Sequence, residues 1–197
     1  GIADDFKYLA VIESGLTHVV SPAGAEGFWQ FMPQTARDYG LEVNGDIDER
    51  LHLIKATESA AAYLIDAYAE FGNWTLAAAA YNAGVQRIKS SLEKQQTKSY
   101  YDLHLNEETS RYMYRILATK LIFESPERYG FVIPKAQTYL FPNTKLVKVS
   151  TSPIDWVAFA QSQNMSYADF RELNPWIKGY QHSNRNNKEY EIRIFVD

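Results

Sequence analysis

The residues with the most chemical promise stand near the start of the chain. A helical run from Asp5 to Ile12 carries one acid, Glu13, to its last turn, and Gly15 follows where a left-handed glycine ends a helix. A carboxylate in that place faces the negative end of the helix dipole, which disfavours its ionisation. Phe28, Trp29, Phe31 and Met32, if the chain folds back, push the same way by excluding water. A glutamate kept protonated near neutral pH is what a general acid requires. Spacing alone favours a plainer outcome, a solvated acid at a helix end. The stretch from Ser21 to Pro33 shifts the balance, because it is a Gly/Pro-rich turn running into an aromatic cluster around one amide, Gln30.

Further residues stand in short runs downstream. Ala80-Tyr81-Asn82-Ala83-Gly84 closes an alanine-rich helix, and Glu108-Thr109-Ser110-Arg111-Tyr112 opens another. Taken with Glu13-Ser14 and Gly27-Phe28-Trp29-Gln30-Phe31-Met32-Pro33, these runs resemble, in order, the four motifs of the soluble-lytic-transglycosylase-like family. Asp48-Glu49-Arg50 matches a feature of one branch of it. The resemblance covers roughly the first two thirds of the chain, and four ordered motifs are far more specific than any one of them. It implies a goose-type lysozyme-like fold and action on bacterial peptidoglycan. It implies that Glu13 protonates the glycosidic oxygen between N-acetylmuramic acid and N-acetylglucosamine. Glu13 then serves as base on the C6 hydroxyl, which closes onto C1 as a 1,6-anhydro ring without water. An attached nucleophile of this kind has a high effective concentration, which lowers the need for a second carboxylate. Ser14, Gln30, Met32, Tyr81, Asn82 and Tyr112 are the implied substrate-binding residues.

Each of these also has an ordinary structural reading. Ser14 can be a local helix-end hydrogen-bonder, and Tyr81 a buried tyrosine followed by an asparagine that only terminates its helix. Trp29 and Phe31 are core or a sugar-stacking face, with core expected for at least one. Glu26 and Asp38 are the nearest other acids, and Glu26 receives no catalytic role. Glu108, in the first turn of its helix, is read as structural.

The elements that must position these groups are mainly α-helical up to about Tyr129. A helix is expected over Pro33–Tyr39, with proline in its first turn. Another is expected over Leu53–Phe71, where Ala56, Ala60, Tyr63, Leu64, Ala67 and Phe71 share a face. Trp74–Tyr81 reads as a buried, alanine-rich helix. Glu108–Glu124 follows, with Met113, Ile116, Leu117 and Leu121 as its core stripe. Lys89–Ser99 is polar and reads as a solvated connection or a frayed helix end. Beyond Tyr129 the order becomes strand (Lys145–Ser150), helix (Ile154–Asn164), helix (Tyr167–Leu173), strand (Tyr190–Val196), which resembles a LysM module. Ser152-Pro153-Ile154 departs from that module's usual Gly-Asp-Thr-Leu, and Gln181–Lys188 reads as an insertion. The tail either binds glycan or packs on the catalytic domain. The expected fold is therefore mainly α, a lysozyme-like (goose-type) helical domain over 1–130, a linker over 131–143 and a small α+β LysM-like module over 144–197.

Composition narrows the partners. A net charge of −4 with no basic stripe argues against nucleic acid, and it leaves glycan binding to aromatics and hydrogen bonds, for which 14 Tyr and 4 Trp suffice. Without cysteine there is no disulfide framework, and His18, His52, His104 and His182 lack metal spacing. No metal and no cofactor are expected. No apolar run approaches the ~18 residues of a membrane span. Gly1 stands almost on the first helix, so a native N-terminus, with any signal peptide or lipid anchor, is expected to precede it. A monomer acting on glycan strands in the bacterial cell envelope, periplasmic or attached to the outer membrane, is the resulting expectation. A hydrolytic muramidase and an inactive peptidoglycan-binding protein are the alternatives.

Overall fold

Helix α3 (Leu53–Phe71) forms the spine of the helical part. The His52 ring accepts from the Lys55 amide at its start, and Gly72, with φ of 62°, closes its last turn. Ala56, Ala60, Leu64 and Ala67 are buried as their spacing predicts, while Tyr63 and Phe71 are half-buried. Helix α4 (Trp74–Ala83) packs against α3. It begins where Asn73 Oδ1 accepts from the Thr75 and Leu76 amides at 2.8 and 3.1 Å. Its run Leu76, Ala77, Ala78, Ala79, Ala80 is buried throughout, and the small side chains let neighbours approach on every side. The computed structural model describes residues 1–134 and 138–196. Residues 135–137 of the expected linker, and Asp197 of the expected module, lie outside them.

Around this pair lie α1 (Lys7–Ser14), α2 (Pro33–Asp38), α5 (Val85–Gln95) and α6 (Glu107–Glu124). Two expectations need correction. The run from Lys89 is the end of a helix and not a solvated connection, because α5 continues to Gln95. Val85, Ile88 and Leu92 share one face, Ile88 is fully buried, and Lys89 pairs with Glu70 of α3. Three apolar residues in a polar run were too faint a period to read as a helix. The core stripe of α6 is also rotated. Thr109, Tyr112 and Ile116 are buried with Met113 beside them, whereas Leu117 and Leu121 are 45% and 50% exposed. The face of α6 turned to α1 and α4 is thus the one that carries Tyr112.

The tail pairs β1 (Thr144–Val149) antiparallel with β4 (Tyr190–Phe195), from Thr144 opposite Phe195 to Val149 opposite Tyr190. Tyr190, Ile192 and Ile194 alternate inward, as a half-buried strand requires. Between them come β2 (Ile154–Asp155), α7 (Trp156–Ser162), α8 (Tyr167–Leu173) and β3 (Gln181–His182). The first expected helix starts two residues late because Ile154 and Asp155 pair with β3, and Asp155 then caps α7 by accepting from Ala158 N at 2.9 Å. Gln181–Lys188 is therefore structured: Asn184, 3% exposed, bonds both the Thr151 and Lys188 carbonyls. The tail's core of Trp156, Phe170, Ile177, Tyr190, Ile192 and Ile194 also takes in Ile47 and Leu51 from the helical part. The tail packs on that part through backbone as well: Asp48 N donates to Trp176 O at 2.8 Å and Lys178 N to Asp46 O at 2.7 Å.

Candidate active site

Glu13 sits in the last turn of α1, and Gly15 ends the helix with φ of 61° and its amide bonded to Val11 O. Tyr112 Oη, from α6, donates directly to Glu13 Oε1. Four influences act on this half-buried carboxyl. Burial raises its pKa most; the Tyr112 bond lowers it; the charge of Glu108 raises it; and that of Arg115 lowers it. The net result lies above the ordinary glutamate range. The expected contribution of the helix end is blunted, because Arg115 Nη2 donates to the Ile12 carbonyl at 3.0 Å. Desolvation and Glu108 carry the shift.

The implied residues fall into two groups. Gln30, Met32, Tyr81 and Asn82 line one hollow of about 240 Å³, with Phe31, Thr35, Tyr63, Ala83 and Gly84. Gln30 holds a left-handed backbone (φ 48°), and its amide donates to Val19 O and Gly27 O, both at 2.9 Å. Met32 is 43% exposed at the start of α2. Tyr81 Oη donates to Trp29 O at 2.8 Å, and burial together with the charge of Glu13 keeps that phenol well above its usual pKa. Asn82 is fixed at both ends, accepting from Thr109 Oγ1 at 2.7 Å and donating to Glu108 Oε1 at 3.0 Å.

Ser14 and Tyr112 form the second group, which is more deeply buried. Ser14 is 8% exposed; its hydroxyl lies 2.9 Å from Phe28 O and 3.1 Å from Ala10 O, and it accepts from Leu16 N. Tyr112 is 1% exposed with its hydroxyl on Glu13. Both hydroxyls are thus engaged within the protein, one on the groove loop and one on the acid. Trp29 and Phe31 are core, at 7% and 4% exposure, and Phe28 instead stacks on His18 at 4.6 Å.

Glu26 is occupied elsewhere. Arg50, 6% exposed, binds it at 2.7 Å, holds Asp48 through two bonds of 2.9 and 2.7 Å, and donates to the carbonyls of Gly24 and Phe31 at 2.8 and 3.1 Å. The groove loop, residues 24–31, is thus tied down at both ends by one guanidinium. Gly27 shows how tightly: a Cβ there would stand 2.2 Å from the Arg50 carbonyl oxygen.

Sequence reasoning passed over Glu108 and Arg115 as parts of the site. Both flank Tyr112 at helical spacing, four before and three after, and that spacing was the available signal. They line a second, open hollow of about 540 Å³ with Asn106, Glu107 and Arg111. The Asn82–Glu108 bond joins residues of the two hollows.

A helical domain with one half-buried carboxyl of raised pKa and a small β-containing appendage defines a recognisable class. Residues 4–104 match the family described as "Transglycosylase SLT domain", and residues 145–195 match "Soluble lytic transglycosylase C-terminal LysM-like domain". The first match spans just over half of the chain, which therefore belongs to the transglycosylase SLT domain family. Membrane-bound lytic murein transglycosylase D, from two strains of Escherichia coli, is 30% identical over 178 residues, which is 87% of this chain and 38% of that protein. The chain thus spans little more than a third of those relatives. Among solved structures, the 70 kDa soluble lytic transglycosylase of Escherichia coli is similar with a TM-score of 0.51 and 25% identity, over 64% of this chain and 22% of that one. The SLT match stops at residue 104, short of α6, which joins the site through the bonds of Glu108 and Thr109 to Asn82, of Tyr112 to Glu13 and of Arg115 to the Ile12 carbonyl.

Proposed function

We propose that this chain is a peptidoglycan lytic transglycosylase, a lyase that cleaves the β-1,4 bond between N-acetylmuramic acid and N-acetylglucosamine to leave 1,6-anhydro ends. The observation that carries the reading is Glu13, a carboxyl of raised pKa held by Tyr112 in a chain of the SLT family. Glu13 gives its proton to the glycosidic oxygen as the bond to C1 breaks. The resulting carboxylate takes the proton of the C6 hydroxyl as that oxygen closes on C1, so Glu13 ends as it began. Tyr112 keeps the carboxyl aimed through both transfers. Gln30 offers a carbonyl oxygen to the sugar, Met32 an apolar wall, and Asn82 its remaining N–H. Tyr81 faces developing positive charge with a phenol oxygen that stays protonated.

Hydrolysis is the second reading, and Glu108 favours it. Its charge reaches Glu13, so the acid is not isolated, and a muramidase needs a second carboxylate to hold water. The bond from Asn82 supports a different task for Glu108, that of holding the groove's asparagine. Product analysis separates the two: anhydro ends for the lyase, reducing ends for the hydrolase. The cell envelope, periplasmic or outer-membrane-attached, is the proposed site of action, supported by the membrane-bound murein enzyme among the relatives. Among the described residues no helix is long and apolar enough to cross a membrane.

A further inference from the structure

We propose that the C-terminal module acts in the reaction as a brace for the groove loop, with Lys178 as its positioning residue. The proposal rests on the groove reading given above, and it begins from a charge imbalance. Glu26 and Asp48 are 9% and 1% exposed, and one buried cation, Arg50, lies between them. Two carboxylates and one guanidinium leave a net negative charge in a poorly solvated place, which is costly unless paired. The tail supplies the missing cation: Lys178 Nζ stands 3.7 Å from Glu26 Oε2 and 3.5 Å from Asp48 Oδ2.

Lys178 is delivered to this position by backbone. Residues 46–48 and 176–178 run antiparallel, with Ile47 bridged to Ile177, Asp48 N on Trp176 O and Lys178 N on Asp46 O. Both isoleucines are fully buried and Trp176 is 3% exposed. This face of the module is therefore consumed by the catalytic domain.

From Lys178 the contacts lead to the site without a gap. Glu26 pairs across the turn with Phe31, its amide donating to the Phe31 carbonyl at 3.2 Å, and Arg50 holds both. The same turn offers Phe28 O to Ser14, Trp29 O to Tyr81 and Gly27 O to the Gln30 amide. Without the ammonium, the least costly relief is for Glu26 to turn toward water, which frees the turn on which Gln30 and Tyr81 depend.

The test uses the full chain with Lys178→Ala, Lys178→Arg and, as control, Lys148→Ala, an exposed lysine of β1 that pairs with Glu189 within the tail. Hydrogen exchange followed by mass spectrometry and turnover of peptidoglycan are measured on each. In Lys178→Ala, amides of residues 24–31 should exchange about tenfold faster while α3 and α4 keep their protection. Its kcat should fall severalfold at a temperature where it is fully folded. Lys178→Arg should restore both, and Lys148→Ala should change neither. Unchanged protection in residues 24–31, a uniform loss across all helices, or a loosened loop with full kcat would each overturn the brace. The exchange readout does not depend on the reaction. A wild-type protein that yields no anhydro product would thus count against the proposed reaction, and loop protection would still decide the brace.

Discussion

At the scale of single residues, the chemistry rests on one carboxyl and the groups that bias its proton. Ionised Glu13 is less favourable in the folded chain than in the unfolded one, so it detracts from stability as pH rises past the usual glutamate value and through its own higher one. Glu13→Gln should therefore keep or raise the Tm at pH 7 while turnover falls at least ~100-fold, the loss expected on removing a general acid. Thermal unfolding and product release measured on one sample check both parts. The neighbours give signed effects on the pH profile. A general acid must begin protonated, so the rate declines as pH rises through the Glu13 pKa. Glu108→Gln removes a charge that raises this pKa and should move the alkaline limb to lower pH. Tyr112→Phe removes a donor that favours the carboxylate and should move it to higher pH. The helix end and glycine cap around Glu13 are local signals, but alone they fit a solvated acid. It was the Ser21–Pro33 stretch and the ordered motifs that drew attention to it. The role of Tyr112 could not be read from the sequence, since its partner lies 99 positions away and only the packing of α6 on α1 brings them together.

At the scale of elements, the groove loop is the part most exactly specified. Gly27 has φ of 82° and lies against the Arg50 backbone, so Gly27→Ala combines a disfavoured conformation with a clash against a carbonyl that cannot swing away. A loss on the order of 3 kcal/mol is expected, read from urea unfolding. A glycine cap and the strongly periodic helices were legible, as Gly15 and the alanines of α3 and α4 show. Weak periods were not: α5 carries three apolar residues among lysines and glutamines, and the true stripe of α6 includes a threonine and a tyrosine that a hydrophobic count passes over. Of the loop's aromatics Trp29 and Phe31, core was expected for at least one without saying which, and the bond of buried Trp29 to Thr57 in α3 is one that no local pattern announces.

At the scale of the whole molecule, the helical part and the tail share a core and a set of charges. Ile47 and Leu51 lose their cover if residues 142–197 are removed, Asp48 loses Lys178, and Glu49 and Glu42 lose Lys188. The truncated chain should retain its helical circular dichroism yet unfold with a loss on the order of 3 kcal/mol from the two apolar side chains alone. An unchanged urea midpoint would show that the shared core adds nothing to the helical part. The outer strands and the two helices of the tail were legible in the sequence, whereas the two-residue strands β2 and β3 were not. Nor was its attachment, because charges such as Asp48 and Glu49 look like solvated surface until the partner lysines arrive from 130 or more positions away.

The central claim, a lyase reaction driven by one recycled carboxyl, is tested most directly by mass spectrometry of purified peptidoglycan after incubation with the protein. Muropeptides lighter by one water and lacking a reducible end are the expected products, and they should disappear with Glu13→Gln. Reducing muropeptides formed by the wild type would contradict the claim and turn attention to Glu108 as the residue that holds the attacking water.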